Sequence, residues 1–180
     1  MPRQVFSFDQ PDRFVAGTVG QPGQRTFFLQ ATDGERVTSV ALEKTQVQVL
    51  AERLADLLDE VRRRGADAPV EAPPGLEDVA PLDQPILEEF RAGTLAIAWD
   101  GEDGMVVVEA HEMTDAQDAE DDDETAEGDL LRVRITPAFA RAFVKRALRV
   151  VAAGRPPCPL CGRPLDPEGH VCARLNGHGH

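Results

Sequence analysis

The sequence has no tyrosine, a single tryptophan and only two lysines, Lys44 and Lys145, so arginine carries nearly all of its positive charge. Serine is as scarce. Ser7 and Ser39 both lie in alternating, strand-like runs, not in the sharp strand-to-helix turn that exposes a nucleophilic hydroxyl. No apolar run approaches the ~18 or more residues of a membrane-spanning helix. The N-terminal residues lack the apolar core and small-residue cleavage site of a secretion signal, so a cytoplasmic protein with no membrane partner is expected. Cysteine is absent before Cys158.

Positive charge is in deficit too. The net charge is −13, and residues 115–129 hold nine acidic groups and no basic one. Without those nine the balance is −4, a mildly acidic body that is poorly suited to holding a nucleic-acid backbone. Arginine in place of lysine, with abundant Ala, Gly, Pro and Val, suggests a GC-rich bacterial genome. The length of 180 residues suits one domain with a small appendage.

What is present reads as a mixed α+β chain. Short alternating runs at Val5–Phe8, Arg13–Val19, Arg25–Ala31 and Arg36–Leu42 are punctuated by Gly20-Gln-Pro-Gly23 and Asp33-Gly34, the signature of hairpins. Val47, Leu50, Ala51, Leu54, Leu57, Leu58 and Val61 then recur at helical spacing, with Arg62 to Arg64 and Gly65 closing the helix. Residues 66–85 are proline-rich and read as a surface connector. Strand patterns return at Phe90–Asp100, Met105–Glu112 and Leu130–Ile135. Thr136-Pro137 then opens a second helix, whose buried face is predicted to be Ala140, Phe143, Val144, Ala147, Leu148 and Val151.

The two halves look alike. Phe14-Val-Ala-Gly-Thr18 returns as Phe90-Arg-Ala-Gly-Thr94, each time followed by two more strands and an amphipathic helix. An internal duplication over 12–64 and 88–153 would account for this, and a chance match in a β-rich chain is the alternative. The expected architecture is six strands in one antiparallel sheet, built from two βββα-like halves with both helices on one face. The body would span residues 1–154 with a flexible acidic loop at 114–129, and residues 155–180 would form a separate tail.

That tail holds the one constellation with definite chemistry. Cys158, Cys161, His170 and Cys172 supply the four donors a tetrahedral structural zinc takes. In Cys158-Pro-Leu-Cys161-Gly162, two thiolates can grip one ion, and the prolines around them reduce the entropy lost on closure. Rubredoxin-type iron would need four thiolates, and this stretch offers three. A redox pair of Cys158 and Cys161 would sit in a βαβ setting, which the flanking prolines disfavour. Free cysteines in a tail are the bland alternative, and His178 or His180 could replace His170. Four protein ligands leave no open position for water, which argues against catalytic zinc.

Other candidates have plainer explanations. Gly17-Thr-Val-Gly20-Gln-Pro-Gly23 leads into a strand and lacks a following Lys-Ser or Lys-Thr, so it reads as a hairpin turn, not a phosphate loop. His111 between Glu109 and Glu112 reads as a solvated or structural histidine. The acidic segment lacks the residue order of a calcium loop and reads as a solvated insertion.

Several stretches together resemble a known family: Phe6-Ser-Phe-Asp9, Pro11 to Gly20, Arg25 to Gln30, Pro81-Leu-Asp-Gln-Pro85 and the closing Cys158 to Cys172. The chain is similar along nearly its whole length to conserved actinobacterial proteins of roughly this size, classed as a domain of unknown function. The resemblance implies an actinobacterial, cytoplasmic protein and carries no activity or catalytic residue with it.

The leading functional expectation is a non-enzymatic interaction or regulatory protein with an unidentified protein partner and a structural Zn²⁺. An enzyme with a dispersed site built from Arg13, Lys44, Asp83 and Arg91 is the second, to be judged by whether those side chains converge on a pocket. Nucleic-acid binding through Arg155, Arg163 and Arg174 is the third, opposed by the acidic body.

Overall fold

The computed structural model describes residues 3–21, 23–114 and 128–153. Seven strands and two helices follow in order: β1 (Val5–Asp9), β2 (Arg13–Val19), β3 (Thr26–Asp33), β4 (Arg36–Leu42), α1 (Lys44–Arg63), β5 (Glu88–Asp100), β6 (Met105–Glu112), β7 (Leu130–Ile135) and α2 (Pro137–Ala152). One 3₁₀ turn, Pro74–Leu76, interrupts the long α1–β5 connection. The expected α+β class and element order are observed. The cysteine-rich tail and almost all of the acidic segment lie outside the described residues.

Local chemistry explains the elements. Gly34, at φ 62°, occupies the first position of the two-residue β3–β4 turn, where a positive φ matches the twist of the strands. The Thr136 side chain accepts a hydrogen bond from the Phe139 amide at 3.1 Å, and Pro137 fills the first helical position of α2. At the start of α1 the Glu43 amide donates to Gln46 Oε1, while Gln46 Nε2 donates to the carbonyls of Ala92 and Gly93. One glutamine thus caps a helix and ties it to β5.

The sheet order is β1-β7-β6-β5-β4-β3-β2. Within each half the strands pair antiparallel, as expected. β4 and β5 pair parallel, however, and so do β1 and β7, which adds a seventh strand to the expected six. The reason is topological. Each half runs up, down, up, and the helix returns the chain to its starting end, so the next half must begin in the same direction. β5 serves both halves: its first residues pair with β4 and the rest with β6, with a register shift between Ala92 and Thr94.

β1 and β2 are the two outer strands, yet only residues 10–12 join them. Six strand spacings of about 4.8 Å would separate flat edges by about 29 Å. Four Cα steps reach at most about 14 Å. The sheet therefore curls until its edges nearly meet at that end, and the gap is filled by side chains. Arg36, at the start of β4, donates to the Ser7 carbonyl at 2.8 Å and lies over the Phe8 ring.

Both helices pack on one face in a single core with residues from every strand. The repeated Phe-x-Ala motif sends Phe14, Ala16, Phe90 and Ala92 into that core. On the opposite face of β2–β4 lies a smaller cluster of Val15, Phe28, Ala41 and Leu82. Leu82 comes from the proline-rich segment, which lies on the surface as expected but also acts as a strap, since its Ala68 and Leu82 are buried. The sequence shows no periodicity there because a strap buries single residues.

Candidate functional site

The described residues bring a group of charged side chains together in a part-buried position around Asp78 of the strap. Its carboxylate accepts from Arg13 Nε at 2.6 Å and Arg13 Nη2 at 3.0 Å, a bidentate pair. Arg146 Nη1 donates to Asp78 Oδ1 at 2.9 Å and to the Asp78 carbonyl at 2.8 Å, and Arg149 Nη2 donates to the same carbonyl. Arg146 Nε donates to the carbonyl of Ala16 on the outer strand β2. Arg146 is only 5% exposed, so its charge must be compensated where it sits. One aspartate thus receives three arginines and fixes strap, sheet edge and helix to one another.

The electrostatics follow from this crowding. Burial pushes the Asp78 carboxyl up, but the Arg13 hydrogen bonds and charge, the Ala80 amide and the Arg146 charge together hold it below the usual carboxylate range. Hydrogen bonding to Asp78 raises Arg13. Desolvation lowers Arg146 despite the opposing Asp78 charge, and the neighbouring charges of Arg13 and Arg149 lower it further.

The rest of α2 grips the same strap. Arg141, also buried, donates to the Pro69 carbonyl at 2.8 Å and to Asp59 Oδ1 at 2.6 Å, while Lys145 pairs with Glu77. The stripe predicted for α2 is therefore amended: Arg141 and Arg146 are buried, whereas Leu148 is exposed. A sequence signal existed in Arg146, a charge lodged between Phe143 and Ala147 on an apolar face. Its partner, Asp78, had none.

Of the four dispersed candidates, Arg13 and Asp83 lie together, with Arg13 Nη1 3.2 Å from Asp83 Oδ2. Asp83 is also held by Thr32 and by both ends of the fully buried Gln30 amide. Arg91 instead pairs with Glu43 at 2.7 Å, beside the exposed Lys44. The four do not converge on one pocket, because Arg13 and Asp83 serve the strap while Lys44 and Arg91 flank the start of α1. His111 lies 3.6 Å from Glu109, and Arg134 is shared among Asp9, Asp100 and Asp103. Among the described residues no three His, Cys, Asp or Glu side chains are grouped to hold a metal. The proposed ligands Cys158, Cys161, His170 and Cys172 lie outside those residues.

Two cavities adjoin these features. One, of about 420 Å³, lies between the start of β2, strap residues 75–80 and α2, and includes Arg13 and Arg146 in its wall. The other, of about 640 Å³, is an apolar groove between α1 and β5 lined by Val49, Leu50, Leu95 and Ile97. No described helix is long and apolar enough to cross a membrane.

Compared with known proteins, residues 6–172 match the family model described as "Protein of unknown function (DUF3090)". The matched span takes in Cys158, Cys161 and His170 and ends at Cys172. No curated protein and no solved structure matches the chain.

Proposed function

This chain belongs to the DUF3090 family of proteins of unknown function, and we propose that it is a zinc-stabilised, non-enzymatic binding module that acts on a protein partner. The observation that carries this reading is the donor set itself. Cys158, Cys161, His170 and Cys172 offer three thiolates and an imidazole at knuckle spacing, a few positions after α2 ends at Ala152, within the span that defines the family. Four such donors complete a tetrahedral shell, so the metal's contribution is a cross-link that orders a short, proline-rich segment.

The body supports the same reading. Its most buried charges are engaged in holding strap, sheet and helix together, which makes a rigid platform for an adjoining recognition segment. A reducing cytoplasm would keep the thiolates available for metal. The arginine-rich, lysine-poor composition fits an actinobacterial source. The acidity of the body favours a protein partner over a nucleic acid.

Metal analysis of the full chain should find about one zinc per protein, and a Cys158→Ser, Cys161→Ser double change should release it. Unchanged metal content after that change would end the zinc reading. Affinity capture with the full chain and with a version lacking residues 155–180 should recover a specific protein only with the former. Recovery of nucleic acid instead, weakening steeply with salt, would replace the protein partner by the alternative.

A further inference from the structure

β4 ends at Leu42 and the chain turns at once into α1, whereas the neighbouring β5 runs on to Asp100. The β4–β5 register stops at Ala41 and Arg91, so from Ala92 onward β5 pairs only with β6. On the other edge of such a strand, every second residue turns its N–H and C=O outward. Gln46 Nε2 takes the first two carbonyls, those of Ala92 and Gly93. Beyond them, among the described residues, only the ladder with β6 reaches the backbone of residues 94–99. Exposed edges are usually guarded by charge or proline, and Thr94-Leu-Ala-Ile-Ala-Trp99 holds neither.

α1 does not close this edge. A groove of about 640 Å³ separates the two, and its strand wall includes the consecutive residues Leu95, Ala96 and Ile97. Consecutive side chains belong to opposite faces of a strand, so the groove follows the edge itself. The helix wall offers Val49, which is 46% exposed. Farther on, a second cavity of about 290 Å³ is lined by Leu57, Val61 and Trp99. Gln46 to Val61 covers about 22 Å of helix and Gly93 to Trp99 about 20 Å of strand, so the two elements run side by side past both cavities. Arg53 is the only charged side chain lining the larger cavity and has no ion pair among the described residues, whereas Glu60 beside the smaller one is held by Arg63 and Arg64.

We propose that an extended peptide segment of a protein partner adds to the open edge of β5 as a further strand, in the slot between β5 and α1. Backbone hydrogen bonds to residues 94–99 hold it, and its alternate apolar side chains enter the two cavities. An acidic residue fits beside Arg53. With α1 as the far wall, the groove admits a single strand and not the sheet of a second copy. The site needs nothing from residues 155–180, so it stands or falls separately from the zinc reading.

The test pans the full chain against a displayed library of random peptides and synthesises the enriched sequences. Enriched peptides should alternate apolar residues, favour Asp or Glu over Lys or Arg, and give saturable shifts at the amides of Leu95, Ala96 and Ile97. Backbone N-methylation walked along such a peptide should weaken binding about tenfold at every second position and little between, because a strand turns only alternate amides toward its neighbour. Val49→Glu, at a half-exposed position, should abolish binding with an unchanged melting temperature, and Arg53→Glu should weaken only acid-bearing peptides, several-fold. The outward amides of residues 94–99 should exchange fast with solvent before peptide is added. The proposal is overturned if no peptide is enriched, if the shifts lie elsewhere, or if N-methylation shows no alternation. It is equally overturned if the outward amides are already protected, through a second copy when protection rises with protein concentration, or through the chain's own end when removing residues 155–180 abolishes it.

Discussion

Leu82 occupies the space above Gly17: a Cβ on Gly17 would stand 2.5 Å from Leu82 Cδ2 and 2.6 Å from its Cγ. The glycine of the first Phe-Val-Ala-Gly-Thr motif is thus a socket for the strap, and not a turn or a phosphate-binding element. Leu82 is 6% exposed, and the burial of such a side chain is worth roughly 1.5–3 kcal/mol.

Gly17→Ala should therefore destabilise the protein by about 1–3 kcal/mol, because the new methyl displaces Leu82 or bends β2. Urea denaturation measures it. Adding Leu82→Ala should cost less in this background than in the wild type, a coupling expected of residues in direct contact. Strict additivity of the two changes would show that Leu82 does not occupy the socket.

Asp78→Ala removes the only carboxylate among the described residues that is bonded to Arg146 and should cost about 3–5 kcal/mol, the usual result of stranding a buried charge. Arg146→Met should cost less, since Asp78 keeps its bidentate partner Arg13. The order of the two midpoints in denaturant decides the matter. An Arg146→Met protein less stable than Asp78→Ala would mean that the arginine's bond to the β2 edge, rather than the ion pair, dominates.

The Asp78 carboxyl sits below its ordinary value in the folded protein. Its contribution to stability is therefore complete above the unfolded value of about 3.9, and is lost as pH falls through the lower folded value. Stability measured from pH 6 downward should fall more steeply in the wild type than in Asp78→Asn, with the two curves converging in acid. Parallel curves would assign the acid limb to other carboxylates, such as Asp100, which the Arg134 hydrogen bond also holds low.

Thr136→Ala should cost about 1 kcal/mol by leaving the Phe139 amide without its acceptor, and Thr136→Asn should recover most of it. Thermal or chemical denaturation is sufficient. If alanine and asparagine prove equivalent, the cap contributes nothing beyond the fixed proline that follows it.

Particular residues show why some features were legible in the chain and others were not. Thr136-Pro137, Asp33-Gly34 and the Val47-to-Val61 stripe announce themselves because caps, turns and helix faces depend on neighbours within a few positions. Gly17 was equally visible as a residue but not as a socket, since its partner lies 65 positions further on. Arg13 and Asp83 were singled out together with Lys44 and Arg91, and nothing in the sequence distinguished one pair from the other. Only the folded chain assigns the first pair to the strap and the second to the start of α1.

The amino-acid sequence by itself determined the order of strands and helices, the caps and turns that bound them, the apolar faces they bury and the family to which the chain belongs. Only the tertiary structure decided that the two halves meet through a parallel pair, that β1 joins β7, and that a proline-rich stretch becomes a strap pinned by arginines. The physical reason is range. Secondary structure is encoded in periodicities of two to four residues, whereas Arg146 reaches its carbonyl on Ala16 across 130 positions of chain, a contact that exists only once the sheet has curled beneath the helix.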